Sequence, residues 1–111
     1  GCDSIVYFSS NYCEDHYYKK VSVARMGSNQ YGDALRDKAH DQKMICVVSG
    51  EDLIPGDNMS LDHIKPKSLY PELNSMIGNV QWVTKWVNIA KWNLGMDEFV
   101  QRCVNIANRY N

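Results

Sequence analysis

Apolar and polar residues alternate with a period of two in two short stretches, Met59-Ser-Leu-Asp-His-Ile64 and Asn79-Val-Gln-Trp-Val83. Each predicts a β-strand. Pro66 ends the first, because proline offers no N–H to a ladder. Helical spacing takes over elsewhere. In Asp33–Met44, Leu35 and Ala39, with Met44 a further candidate, can point inward while charges cover the rest. Thr84 is a favourable N-cap for a helix from Lys85 to about Leu94, with Gly95 as its stop. Val83, Val87 and Leu94, with Trp86 and Ala90, supply the packed faces. In Met96–Tyr110, the residues Phe99, Val100, Cys103, Ala107 and Tyr110 recur at helical spacing, which predicts one buried stripe.

The first part of the chain reads differently. Ile5-Val-Tyr-Phe8 and Val21-Ser-Val-Ala24 suit strands, and together they predict a β-hairpin with half-buried tyrosines at Tyr17 and Tyr18. Tyr17-Tyr-Lys-Lys20 also sets aromatics beside bases, a nucleic-acid-clamping composition, but the hairpin is the preferred reading. Ile45-Cys-Val-Val48 suits a buried strand or a knuckle, and residues 27–32 and 51–58 are turn-rich. His16 lies in an acidic run and His40 has no evident partner, so both are expected at the surface.

Length and composition bound the answer. A chain of 111 residues makes one domain with a modest core, and no apolar run approaches a membrane span. No signal-peptide pattern is visible; the first residue is Gly1 rather than Met, as expected of a chain processed or excised from a longer one. Net charge is −1, which does not by itself favour a polyanionic partner. Its distribution is more telling: residues 19–43 carry six bases against three acids, and residues 62–111 six against four. The cysteines, Cys2, Cys13, Cys46 and Cys103, contain no C-x-x-C pair, so structural zinc is not expected. Reduced thiols are the default, with Cys46 and Cys103 packed as small hydrophobes. Trp82, Trp86 and Trp92 are expected in the core and groove wall.

The chemistry concentrates between residues 59 and 91. Asp62 and His63 are adjacent at the end of a predicted strand, and Asn88 and Lys91 share one helical face. Strict alternation sends Asp62 and His63 to opposite faces of the strand, so a bend before Pro66 is needed to bring them together. A carboxylate and an amide are ligands for one hard divalent cation, and an imidazole is a general base. Asp-His alone is a common dipeptide; the pattern as a whole carries the signal.

That pattern resembles the ββα-metal core of the HNH, or His-Me finger, endonucleases. The matching pieces are Ser60-Leu-Asp-His-Ile-Lys-Pro66, Gly78-Asn-Val-Gln-Trp82 and Val87-Asn-Ile-Ala-Lys91, with Cys46-Val-Val-Ser-Gly50 resembling the usual lead-in. The resemblance spans roughly residues 45–94, weakens over the last helix and is absent from residues 1–30. This is a His-Asn-Asn variant, with Asn88 in the last position, and it lacks the paired Cys-x-x-Cys knuckles of many relatives. The implied fold is α+β: a ββα-metal core at 45–94, preceded by a helix and an N-terminal β-rich extension (1–30) and followed by a C-terminal helix (96–110), in one domain.

The resemblance also implies roles. Asp62 and Asn88 would hold Mg²⁺, with Mn²⁺ as a substitute. His63 would be the general base, its ring oriented by a loop carbonyl. Asn79 would brace the loop that carries the base, and Lys91 would meet a phosphate or the developing charge. Lys65, Lys67, Lys85 and Lys91 would line a phosphate-binding surface. The implied activity is hydrolysis of DNA phosphodiesters, one strand per site, with RNA left open as a substrate. Cutting both strands would call for a homodimer or flanking domains. The implied setting is the cytoplasm or nucleoid, away from membranes, and the compact size fits a phage or mobile-element enzyme. Two alternatives stay open: a non-catalytic nucleic-acid-binding module that keeps the fold, and a protein-interaction domain.

Overall fold

A computed structural model describes residues 14–66 and 68–110. Among them four α-helices and one two-stranded sheet occur: α1 (Glu14–Met26), α2 (Gly32–Asp41), β1 (Met59–His63), β2 (Val80–Thr84), α3 (Lys85–Lys91) and α4 (Met96–Tyr110). The fold is mixed α and β, as expected. The strands are antiparallel, pairing Met59 with Thr84, Leu61 with Trp82, Asp62 with Gln81 and His63 with Val80. The loop between them closes with short 3₁₀ turns at Pro71–Leu73 and Ile77–Asn79. The predicted strand Ile5–Phe8, Cys2, Cys13 and Lys67 lie outside the described residues.

The second half of the expected N-terminal hairpin is instead helix, so over residues 14–24 the extension is not β-rich. Glu14 and Asp15 occupy the first turn of α1 and Arg25 the last, signs that complement the helix dipole. Tyr18, Ser22 and Met26 recur every four residues and are buried, while Val23 is turned to solvent. The β-branched pair around Ser22 mimics a strand, but the longer i, i+4 pattern decides. Ser22 donates its hydroxyl to the Ser28 carbonyl and accepts the Tyr31 N–H at 3.2 Å, which locks the turn into α2. There α1 and α2 touch: a β-carbon on Gly32 would lie 2.9 Å from the Lys19 side chain. His40 has a partner after all, the Glu14 carboxylate at 2.9 Å.

Trp82 is the centre of the core. It is fully buried, and its indole N–H donates to the Leu35 carbonyl at 2.9 Å. Tyr17 stacks on it and Tyr18 meets it edge-on, with ring centroids 6.3 and 5.6 Å away. Gln42, just past α2, clamps the same residue: its Oε1 accepts the Trp82 N–H and its Nε2 donates to the Trp82 carbonyl. The run after α2 is the knuckle rather than a strand. Ile45 forms a single bridge with Asp52, and the buried Cys46 sulfur accepts the N–H groups of Ser49 and Thr84.

Four further expectations are corrected. Thr84 stands at the N-cap of α3, but its hydroxyl caps nothing there and is buried without a partner among the described residues. Helix α3 stops at Lys91, because Trp92 takes a left-handed φ of 47°; Gly95 instead accepts the Phe99 N–H in the first turn of α4. Of the stripe on α4 only Phe99 is buried; Val100, Cys103, Ala107 and Tyr110 are exposed. Trp86 and Trp92 are exposed too, at 55% and 80%.

Replacing Trp82 by Ala is expected to cost about 3–5 kcal/mol, the range for deleting a buried aromatic. Gln42→Ala is expected to cost about 1–3 kcal/mol, because it strands buried backbone groups. Urea unfolding of the two variants checks both values. Alkali should also unfold the domain. Burial pushes the Tyr17 phenol from 10.0 up to about 12, against an opposing Gly56 backbone hydrogen bond, and burial likewise raises Tyr18. A raised phenol favours the folded state below the unfolded pKa of about 10, and that contribution is lost as pH rises through about 12. Stability measured from pH 9 to 12 should fall across that window, and less steeply in Tyr17→Phe.

Candidate active site

The two faces of the β1–β2 hairpin do different jobs. Pairing in this register puts Leu61 and Trp82 on one face, toward the α1–α2 layer, and Ser60, Asp62, Gln81 and Val83 on the other, toward α3. Asp62 therefore enters a buried interface and is only 3% exposed. A carboxylate there needs partners. Lys91, itself fully buried on the last turn of α3, donates from Nζ to Asp62 Oδ1 at 3.1 Å and to the His63 carbonyl at 2.8 Å. Gln81, directly across the ladder, donates from Nε2 to Asp62 Oδ2 at 2.9 Å.

Asn88 sits one turn before Lys91 and meets the same face of β1. Its Nδ2 donates to Ser60 Oγ at 2.7 Å and reaches the Leu61 carbonyl at 3.3 Å. Ser60 and Asp62 are two residues apart on one face of the strand, and Asn88 and Lys91 three apart on one face of the helix. Asp62 and Asn88 thus both face the β1–α3 interface. Among the described residues, the Asn88 amide oxygen accepts no hydrogen bond.

His63 obeys the alternation and leaves that face. Its Nε2 lies 3.0 Å from the Asn74 carbonyl in the β1–β2 loop. A carbonyl only accepts, so Nε2 carries the proton in that bond. The loop is held by Asn79, a buried residue. Asn79 Oδ1 accepts the Lys65 N–H at 2.9 Å, its Nδ2 donates to the Lys65 carbonyl at 3.0 Å, and the Ile64 N–H reaches the Asn79 carbonyl at 2.7 Å. Two clusters result, one on α3 around Asp62 and one on the loop around His63. Lys91 joins them by binding both the Asp62 carboxylate and the His63 backbone.

The basic residues divide. Lys65 is exposed, with its ammonium 5.4 Å from the Tyr70 ring centroid, and Lys85 is exposed at the start of α3. Lys91 is an internal counter-ion rather than part of a phosphate-facing surface. Sequence reasoning passed over Ser60, Asn74 and Gln81. The strand register signals Gln81, since it lies opposite Asp62. Asn74 acts through its backbone carbonyl, which no side-chain pattern reveals; its buried Oδ1 has no partner among the described residues. No group of three His, Cys, Asp or Glu residues that could hold a metal ion occurs among the described residues. Asp62 and Asn88, a carboxylate and an amide, are a donor pair of a different kind.

Removing one member of the Asp62–Lys91 pair leaves an uncompensated charge in the interior. Lys91→Met alone is expected to cost about 3–5 kcal/mol. Asp62→Leu with Lys91→Met should cost less than that single change, since no charge is left buried. Denaturant midpoints of the two singles and the double measure the coupling, and additive losses would sink this account of the pair.

Comparison with known proteins adds no family to this geometry: no family model, no curated protein and no solved structure matches the chain.

Proposed function

We propose that this chain is a metal-dependent endonuclease of the HNH type, hydrolysing DNA phosphodiesters and nicking one strand per active site. The observation that carries the reading is the placement of Asp62 and Asn88 at one β1–α3 interface, with His63, the next residue along the strand, turned to the loop and held there by a backbone carbonyl. His63 takes the role of general base, its imidazole removing a proton from the attacking water. Asn79 is a positioning residue. It fixes the Lys65 peptide and so the strand end from which the imidazole projects. Lys65 and Lys85 offer exposed ammonium groups to backbone phosphates.

The donors fit a hard divalent cation, Mg²⁺ with Mn²⁺ as substitute. Both are oxygens, the Asn88 oxygen accepts no hydrogen bond among the described residues, and each Asp62 oxygen keeps a lone pair beyond its one recorded hydrogen bond. Asp62 and Asn88 would hold the ion, and bound there it would polarise the scissile phosphate and stabilise the departing 3′ oxygen. Lys91 holds the Asp62 carboxylate in place from the opposite element.

One observation favours a second reading. Asp62 is almost wholly buried and already neutralised by Lys91, the arrangement expected of a fold-retaining module that binds nucleic acid without cutting it. Incubation of supercoiled plasmid with Mg²⁺ or Mn²⁺ separates the two. The nuclease reading expects nicked circles and a loss of about 10²–10⁴-fold in His63→Ala. Intact plasmid that nonetheless binds the folded protein in a salt-sensitive way would replace the first reading with the second.

A further inference from the structure

We propose that the apolar face of α4 is a self-association surface, on which a second copy of this chain docks antiparallel about an axis at Cys103. The inference does not depend on the nuclease reading.

Helix α4 runs off the body of the molecule. Met96 and Phe99 pack on the core, and from Val100 onward every residue of the helix is exposed. At about 100° per residue, the eight apolar side chains between Met96 and Tyr110 fall within a sector of about 160°, and every polar one lies outside it. Val100, Val104, Ile106 and Tyr110 are 47%, 44%, 61% and 83% exposed. A continuous apolar stripe of this kind marks a surface that another element covers.

The spacing of the stripe identifies the occupant. Cys103 is the middle residue of α4, with seven residues on either side. Apart from Val104, the apolar positions are symmetric about it: Met96 and Tyr110, Phe99 and Ala107, Val100 and Ile106 stand at equal distances. An antiparallel copy centred on Cys103 therefore meets apolar with apolar at the exposed Val100–Ile106 levels, and its Tyr110 comes level with Met96. The small Ala107 comes level with Phe99, where the body already covers the ring. Charge sets the direction. Asp97 and Glu98 fill the first turn and Arg109 the last, so antiparallel packing brings ends of opposite sign together and parallel packing brings like ends together. The polar face carries two acids, two arginines and three amides. A helix lying on an anionic membrane would carry a strongly basic face there instead.

A 15-residue helix is about 22 Å long, so one helix pair buries an area near or below the low end for stable interfaces, about 1,000 Å². The association is accordingly weak and concentration-dependent. Sedimentation of the full chain from about 1 to 300 μM is expected to pass from monomer to dimer, as befits an interface of that size. Ile106→Glu should remain a monomer throughout while keeping the wild-type circular dichroism melt. In a Cys2→Ser/Cys13→Ser background a short bis-maleimide should link two copies, and the link should vanish when Cys103→Ser is added although that variant still dimerises. A monomer at every concentration, a dimer indifferent to Ile106→Glu, or a cross-link that survives Cys103→Ser would each overturn the proposal.

Discussion

The bond from the Trp82 indole to the Leu35 carbonyl is the joint on which this small domain turns. Burying an indole in a core of this size requires a partner for its N–H, and the Leu35 carbonyl in the first half of α2 supplies it. Gln42 then grips the same residue from the far end of that helix, donating to its carbonyl and accepting its N–H. These groups lie on the outer edge of β2, which would otherwise have unsatisfied backbone. The helical layer thus takes the place of a third strand, and the two-strand hairpin, marginal by itself, gains a fixed register.

Register matters because the other face of the hairpin carries the chemistry. A one-residue slip would send Asp62 into the Trp82 layer and bring Leu61 against Lys91. The buried ion pair is a poor source of net stability, since desolvating both partners offsets most of their attraction. It is a strong source of specificity: only one placement of α3 on β1 satisfies Asp62, Lys91 and the His63 carbonyl at once. Stability therefore resides mainly on the aromatic face and orientation on the polar face, and the strands couple the two.

Much of this was legible in the residues. Alternation located β1 and β2 to within a residue, and the Leu35/Ala39 spacing located α2. Asn88 and Lys91 could be assigned to one helical face before any coordinates. What escaped were features decided by distant partners. Val21-Ser-Val23 has strand composition, yet Ser22 is drawn into α1 by the Ser28 carbonyl and the Tyr31 amide. The α4 stripe has the spacing of a buried face, and periodicity cannot tell whether the covering surface belongs to the same chain. The inward turn of Lys91 depends on the depth of Asp62, which is set by Trp82 on the opposite face.

The end of α3 links these features. Lys91 reaches Asp62 and the His63 carbonyl from the last helical residue, and the chain must then leave the interface at once, because the next side chain is an indole. Trp92 achieves this with a left-handed φ that a bulky residue adopts only at a cost of order 1 kcal/mol or more. The Leu94 N–H closes the turn on the Lys91 carbonyl, and Gly95 opens α4 in its new direction. A smoother exit would extend α3 toward Leu94, as its sequence alone suggests, and would carry Trp92 along the same helix. The strain at Trp92 is thus tied both to sealing Lys91 over Asp62 and to aiming α4 away from the body, so the interior of the candidate site and the exposed apolar helix follow from one chain reversal.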